Sequence, residues 1–208
     1  MGLFRFNDVW VNLGEKDILK GFSLELREGD KLLLTGKSGI GKSTVLRLLL
    51  GFVRPSKGEI LYRDGMLNPA AATRIRRESA YVSQILEIGG GNVDGLIRQV
   101  LCYHANRHLG DLTAEKSRWM EFLEMRDGIL HEEIETLSGG EKQRVAILIA
   151  LLLRRRIFLL DEITAYLDQG LKDKVASLFL SDPAWTVISI SHDPCWRRDG
   201  IQRMEMKA

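Results

Sequence analysis

The spacing of apolar positions changes character along the chain. Residues 22–27 alternate apolar and polar side chains, Glu28-Gly29-Asp30 turns, and Lys31-Leu32-Leu33-Leu34-Thr35 is a short apolar run suited to a buried strand. After a glycine-rich loop, residues 44–50 take up helical spacing. Pro55, Ser56, Lys57 and Gly58 break it, and Glu59-Ile60-Leu61-Tyr62 predicts another strand. From about residue 87 to 135, behind Gly89-Gly90-Gly91, apolar residues recur at helical intervals with hardly a strand-like run, which predicts an inserted helical lobe. A helix is predicted over 139–154. Ile157-Phe158-Leu159-Leu160 and Thr186-Val187-Ile188-Ser189-Ile190 predict buried strands flanking a helix near 168–180, so a parallel α/β core resumes there. No internal repeat, low-complexity tract or Ser/Gly-rich linker divides the chain. One domain over residues 1–208 is therefore expected, with a core of 1–86 and 155–208 and a helical lobe of 87–154.

Composition narrows the class. A chain of 208 residues that is 45% hydrophobic buries a real core. Its 30 Lys+Arg against 28 Asp+Glu create no broad positive field, so neither nucleic acid nor an acidic membrane is the expected partner. The longest apolar run, Val145 to Leu153, is nine residues and is closed by Arg154, Arg155 and Arg156. A membrane span needs roughly 20. Residues 1–12 mix polar and apolar positions, unlike a signal peptide, which points to the cytosol. Cys102 and Cys195 are too few and too far apart for a metal cluster or a disulfide framework.

Chemistry enters at the loop after the first apolar run. Gly36-Lys37-Ser38-Gly39-Ile40-Gly41-Lys42-Ser43-Thr44 matches the phosphate-binding loop pattern and lies between a predicted strand and a predicted helix. Backbone amides must encircle phosphate oxygens, and a β-carbon at Gly39 or Gly41 is expected to obstruct that wrap. Lys42 is expected to reach the β- and γ-phosphates, Ser43 to ligate Mg²⁺, and the following helix to direct its amides at the anion. These are roles for ATP or GTP, and the loop alone leaves a small-molecule kinase or a GTPase open.

A second signal is the strand 157–160 running into Asp161 and Glu162. Carboxylates at the carboxyl end of a parallel strand sit where ligands of such sheets bind. Asp161 suits the Mg²⁺ sphere. Because neighbouring strand residues face opposite ways, Glu162 is expected to point elsewhere and to polarise a water attacking the γ-phosphate.

Leu137-Ser138-Gly139-Gly140-Glu141-Lys142-Gln143-Arg144 resembles the signature segment of ATP-binding-cassette proteins. Ser138 with Glu141 also forms a capping box, sufficient by itself to start a helix. A cap does not require Gly139-Gly140, which give up about 0.8–1 kcal/mol each relative to alanine at fully helical positions. Close approach of a phosphate explains them. The resemblance implies a P-loop NTPase core with a mostly parallel sheet, an N-terminal antiparallel β subdomain and an inserted α-helical subdomain. It implies ATP and Mg²⁺ as cofactors and an ATPase in which Ser138, Gly139 and Gly140 cover the γ-phosphate held by a second copy or a homologous subunit.

Further positions follow from the same resemblance. Gln84 looks like the glutamine that senses Mg²⁺ and water and links core to lobe, and a groove nearby would grip an integral membrane permease. Ala165-Tyr166-Leu167-Asp168 is similar to the segment whose aspartate contacts the partner subunit, although the family more often has serine and alanine at 165 and 166. Asp168 equally suits a helix N-cap. His192 resembles the switch histidine that contacts the γ-phosphate. Such a subunit would work in the cytoplasm at the inner face of the cell membrane. Two rivals fit less well. A cassette ATPase acting on DNA or ribosomes would carry a long heptad insertion or tandem cassettes, and a small-molecule kinase has no use for residues 137–144.

Two departures stand out. Ile163 occupies the usual proline position, as in a branch of small bacterial transporter ATPases that includes ones linked to metal export. Leu13 stands where the family stacks adenine on an aromatic ring, with Trp10 as a possible substitute. Base stacking is worth about 1–3 kcal/mol, so Leu13→Tyr is expected to tighten ATP binding in a nucleotide titration. An unchanged or weaker affinity contradicts the alignment, and Trp10→Ala tests the substitute.

Overall fold

The computed structural model describes residues 2–14, 16–84 and 90–206, apart from the side chain of Leu13. The expected opening of the helical lobe at residues 87–89 lies outside the described residues. Among those described, strands form two sheets. One is antiparallel, in the order β2-β1-β4-β5, built from β1 (Gly2–Leu13), β2 (Lys16–Arg27), β4 (Lys57–Tyr62) and β5 (Gly65–Met66). The other is parallel, in the order β6-β7-β8-β3-β9. Its strands are β3 (Lys31–Thr35), β6 (Ser79–Val82), β7 (Ile157–Asp161), β8 (Thr186–Ile190) and β9 (Gln202–Glu205).

Alternation along the parallel strands feeds two apolar layers. Leu33, Phe158, Leu160 and Val187 belong to one cluster, while Leu32, Leu34, Leu159, Ile188 and Ile190 belong to another. A sheet covered on both faces therefore reads as continuous apolar runs. The first layer is closed by α5 (Gly139–Leu152) through Val145, Leu148 and Leu152, and by α6 (Gln169–Ser181) through Leu171, Val175 and Phe179. The second is closed by α1 (Lys42–Leu49), whose Val45, Leu46 and Leu49 meet Phe4, Phe6 and Ile60 of the antiparallel sheet. Full burial of each such side chain is worth about 1.5–3 kcal/mol.

Three further α-helices lie among the described residues: α2 (Pro69–Glu78), α3 (Val93–Cys102) and α4 (Thr113–Phe122). Asn68 caps α2 by accepting from the Ala71 amide, with Pro69 in the first turn. Ile97 of α3 and Leu123 after α4 share the apolar cluster of α5 and the sheet, so lobe and core are packed as one layer. Helix α5 stops at Leu152, short of the predicted 154, and Arg154 adopts φ 49°. No helix among the described residues is long and apolar enough to cross a membrane.

Candidate functional site

The phosphate loop leaves the C-terminal end of β3 and enters α1. Gly36, Gly39 and Gly41 have φ of 142°, 76° and 102°, in the region that favours glycine. A β-carbon on Gly36 would lie 2.7 Å from the Met206 carbonyl oxygen, and one on Gly41 would lie 2.9 Å from that of Ile18. Around Gly39 the space is open. All three glycines thus serve the backbone turn, and Gly36 and Gly41 in addition leave room for the chain's own neighbouring carbonyls. The Lys42 ammonium donates to the Gly36 and Lys37 carbonyls, at 2.7 and 3.1 Å. No side chain caps α1, whose N-cap is Gly41; the Thr44 and Val45 amides turn back to the Gly41 carbonyl at 3.0 and 3.3 Å, and a helix start without a side-chain cap suits an anion.

Strand order sets β8 between β3 and β7, so the acids at the end of β7 share one edge with the loop. Asp161 is 3% exposed and accepts a hydrogen bond from the Ser43 hydroxyl. Burial pushes its carboxyl above the ordinary value, against the pull of Ser43, Lys42 and Arg47. Ser43, Asp161 and Gln84 line one cavity of about 360 Å³. A hydroxyl, a carboxylate and an amide oxygen are hard donors that fit Mg²⁺. Among the described residues no group of three or more His, Cys, Asp or Glu could hold a metal by itself.

Glu162 sits just past the strand at φ 52°, and its amide donates to the Ile190 carbonyl at 2.9 Å. A left-handed turn, rather than strand alternation, separates its carboxylate from that of Asp161. A non-glycine residue held there stores of the order of 1–3 kcal/mol. The side chain meets His192: Oε1 lies 3.6 Å from the imidazole Nε2, and the His192 backbone amide donates to the carboxylate. Burial raises the Glu162 pKa, while His192 opposes the rise. His192 keeps 59% of its side chain exposed, facing outward from the same edge.

Helix α5 starts at the capping box that the sequence suggests. The Glu141 amide donates to Ser138 Oγ at 3.3 Å, and the Ser138 amide and hydroxyl donate to Glu141 Oε2 at 2.9 and 2.8 Å. Arg126 Nε donates to Glu141 Oε1 at 2.7 Å, and its two terminal nitrogens pair with Glu132. Together Arg126 and Ser138 pull the Glu141 pKa down to about 2. The double glycine has a cause within the chain: a β-carbon on Gly140 would lie 2.8 Å from the Tyr166 carbonyl oxygen, and one on Gly139 would rest on the Tyr166 ring at 3.4 Å. Asp168 caps α6 by accepting from the Leu171 amide at 3.0 Å, and it pairs with Arg144 at 3.5 Å. Residues 166–168 are thus clamped onto the signature helix.

The loop residues, Asp161, Glu162, Gln84 and His192 gather at the carboxyl edge of the parallel sheet. Among the described residues, Ser138, Gly139 and Gly140 are absent from the walls of three cavities that border the phosphate loop. One such cavity, of about 680 Å³, runs from the start of β2 past Ser38, Gly39 and Ile40 to Met206. Trp10 is not in its wall; the indole donates to Asp8 at 3.3 Å, and Lys57 lies 5.6 Å from its ring centroid. Arg47 escaped the sequence reading. It donates to the Tyr81 hydroxyl and supports the Asp161 carboxylate. Its position four residues after Ser43 on α1 was the available signal. Ile163 is 1% exposed and packs into the apolar cluster of α5 and α6.

Residues 19–165 match the family model described as ABC transporter. The chain is 29% identical over 198 residues to the probable iron export ATP-binding protein FetA of Escherichia coli K12, spanning 92% of this chain and 85% of that one. It is 34% identical over 169 residues to the nickel import ATP-binding protein NikE of Shigella dysenteriae, covering 77% of this chain and 62% of that one. A bacterial Atm1-family ABC exporter with ATP bound superimposes at a TM-score of 0.83 and 28% identity, covering 98% of this chain but 36% of the exporter. The dimeric bacterial transporter cassette MJ0796 superimposes at 0.79 and 25% identity, over 97% of this chain and 94% of the cassette. With a P-loop α/β core at one end and the capped glycine pair at the other, the chain belongs to the ABC transporter family, as an ATP-binding subunit with ATPase activity.

Gly140→Ala removes a glycine that helix propensity alone would favour replacing by about 1 kcal/mol. The Tyr166 carbonyl must move instead, carrying Asp168 with it. Hydrolysis is expected to fall by about ten-fold or more, equivalent to at least ~1.4 kcal/mol of transition-state stabilisation, with ATP affinity little changed. Undiminished turnover in a phosphate-release assay contradicts the contact's role.

Proposed function

We propose that this chain supplies half of each ATP site in a two-chain assembly, and that hydrolysis drives an integral membrane permease from the inner face of the cell membrane. One observation carries the reading: among the described residues, Ser138 to Gly140, capped and glycine-lined, are absent from the walls of three cavities that border the phosphate loop of their own chain. A second copy, or a homologous ATPase subunit, would bring that segment over the γ-phosphate. The dimeric form of the MJ0796 cassette supports the arrangement by likeness.

Within the site, Lys42 exchanges its bonds to the Gly36 and Lys37 carbonyls for bonds to phosphate oxygens, joined by the first-turn amides of α1. Ser43, Asp161 and Gln84 would hold Mg²⁺, which when bound neutralises charge on the phosphate oxygens. Glu162 acts as the base that orients and polarises the attacking water, and its raised pKa brings its proton affinity nearer the working pH. Since the base works ionised, activity falls as pH drops through that raised value. His192 holds Glu162 and touches the γ-phosphate, while Asp168 faces the partner chain. Loss of the γ-phosphate removes the shared ligand and lets the pair separate. Similar ATP-binding proteins are named for iron export, nickel import and spermidine/putrescine import, which supports a cargo chosen by the permease rather than by the ATPase subunit.

Glu162→Gln is expected to bind Mg·ATP, lose about 10²–10⁴-fold in hydrolysis and accumulate as an ATP-bound dimer in light scattering. Continued fast turnover removes Glu162 as the base. A strictly monomeric ATP-loaded variant removes the shared site.

A further inference from the structure

A separate cleft opens at the other end of the parallel sheet. Its wall includes Gly29 just before β3, Ile157 at the start of β7 and Thr186 at the start of β8, and its volume is about 390 Å³. Five-residue strands rising about 3.3 Å per residue hold it roughly 15 Å from the phosphate loop. Five arginines line it: Arg63, Arg77, Arg154, Arg155 and Arg156.

Two of these are already neutralised. Arg63 pairs with Glu28 at 3.3 Å and with Glu78 at 3.0 Å, and Arg154 holds Glu115 through two bonds of 3.0 and 2.6 Å. Among the described residues no carboxylate pairs with Arg77, Arg155 or Arg156. Arg155 donates one terminal nitrogen to the Asn106 side chain, while its Nε is shut off from solvent with no acceptor. Burial holds its pKa below the ordinary arginine value, yet a guanidinium stays charged in proteins. The enclosed Nε is out of a ligand's reach, but three guanidiniums without carboxylate partners in one concave wall, one of them partly desolvated, are unfavourable until an anion in the cleft offsets their charge. Planar guanidinium forks match phosphate oxygens in pairs.

We propose that this cleft binds a phosphate-bearing anion between Arg77, Arg155 and Arg156, independently of the ATP site. The cleft volume falls within the range of small-ligand pockets. Its source is either a free polyphosphate or the headgroup of an acidic phospholipid. Residues 154–156 also form the covalent link from α5, which begins at the capping box, to β7, which ends in Asp161. A ligand here therefore contacts the joint between the two halves of the ATPase machinery.

The test uses the full chain carrying Lys42→Ala, which removes the main phosphate-loop cation, titrated calorimetrically with inorganic triphosphate and, separately, with phosphatidylglycerol vesicles. Binding of either probe is expected to persist in Lys42→Ala and to weaken by about ten-fold or more when Arg77→Gln and Arg156→Gln are added, given the strength of charge-assisted bonds. Both added positions are exposed, so thermal melting should be unchanged. Triphosphate binding assigns a free anion, and vesicle binding without triphosphate binding assigns the headgroup. Binding lost with Lys42→Ala alone, or indifferent to Arg77→Gln and Arg156→Gln, overturns the proposal. ATP hydrolysis by the chain with Lys42 intact is read separately, so failure of the anion site and failure of the ATPase reading stay distinguishable.

Discussion

Alternating side chains along β3, β7 and β8 lock the parallel sheet between two apolar layers, and the residues of the phosphate loop, the acid pair and His192 hang from its carboxyl edge. Shifting any one strand by a single residue would turn its leucines from one layer into the other. The pairing of Leu160 with Ser189 and of Asp161 with Ile190 is therefore as much a requirement of packing as of chemistry. Asp161, Glu162 and His192 stand near Lys42 because the hydrophobic layers leave those strand ends nowhere else to go.

Electrostatics at that edge is poised for a ligand. Lys42 is nearly buried and bonded to two carbonyls, and Asp161 is buried with its pKa raised. Opposite charges held in a desolvated place interact strongly with whatever enters. The left-handed turn at Glu162 sends its carboxylate to His192 while that of Asp161 meets the Ser43 hydroxyl, so a single change of φ gives two adjacent acids different neighbours. At the far side of the lobe, Arg126, Glu141 and Ser138 hold the helix start rigid, while Tyr166 and Asp168 bind it to the segment that follows the acids.

The parts legible in the sequence share a physical cause. The apolar runs 31–35, 157–160 and 186–190 are unambiguous because strands buried on both faces admit few polar residues, and the loop 36–44 is legible because its glycines and Lys42 have fixed duties. Strand β1 was harder, since residues with φ of 48° at Asp8 and shifts of register interrupt its alternation. Helix α2 buries only Ala72 and Ile75 against its many charges, and β9 is mostly exposed, so neither leaves a strong period. The contact between Gly140 and Tyr166 joins positions 26 residues apart, and no local pattern encodes it. The clamp of Arg47 on Tyr81 was open to view as a helical neighbour of Ser43 but carries no motif of its own.

Complementation between two disabled chains measures whether a site is shared. A chain with Lys42→Ala lacks a working phosphate loop but keeps its signature segment, and a chain with Ser138→Phe has the reverse defect. Each alone should be inactive, and mixing them should restore ATP hydrolysis, because the mixed pair contains one intact loop facing one intact Ser138. A mixture as inactive as its components, under conditions where the unaltered chain turns over ATP, would mean that loop and signature serve the same nucleotide within one chain, or never meet at all.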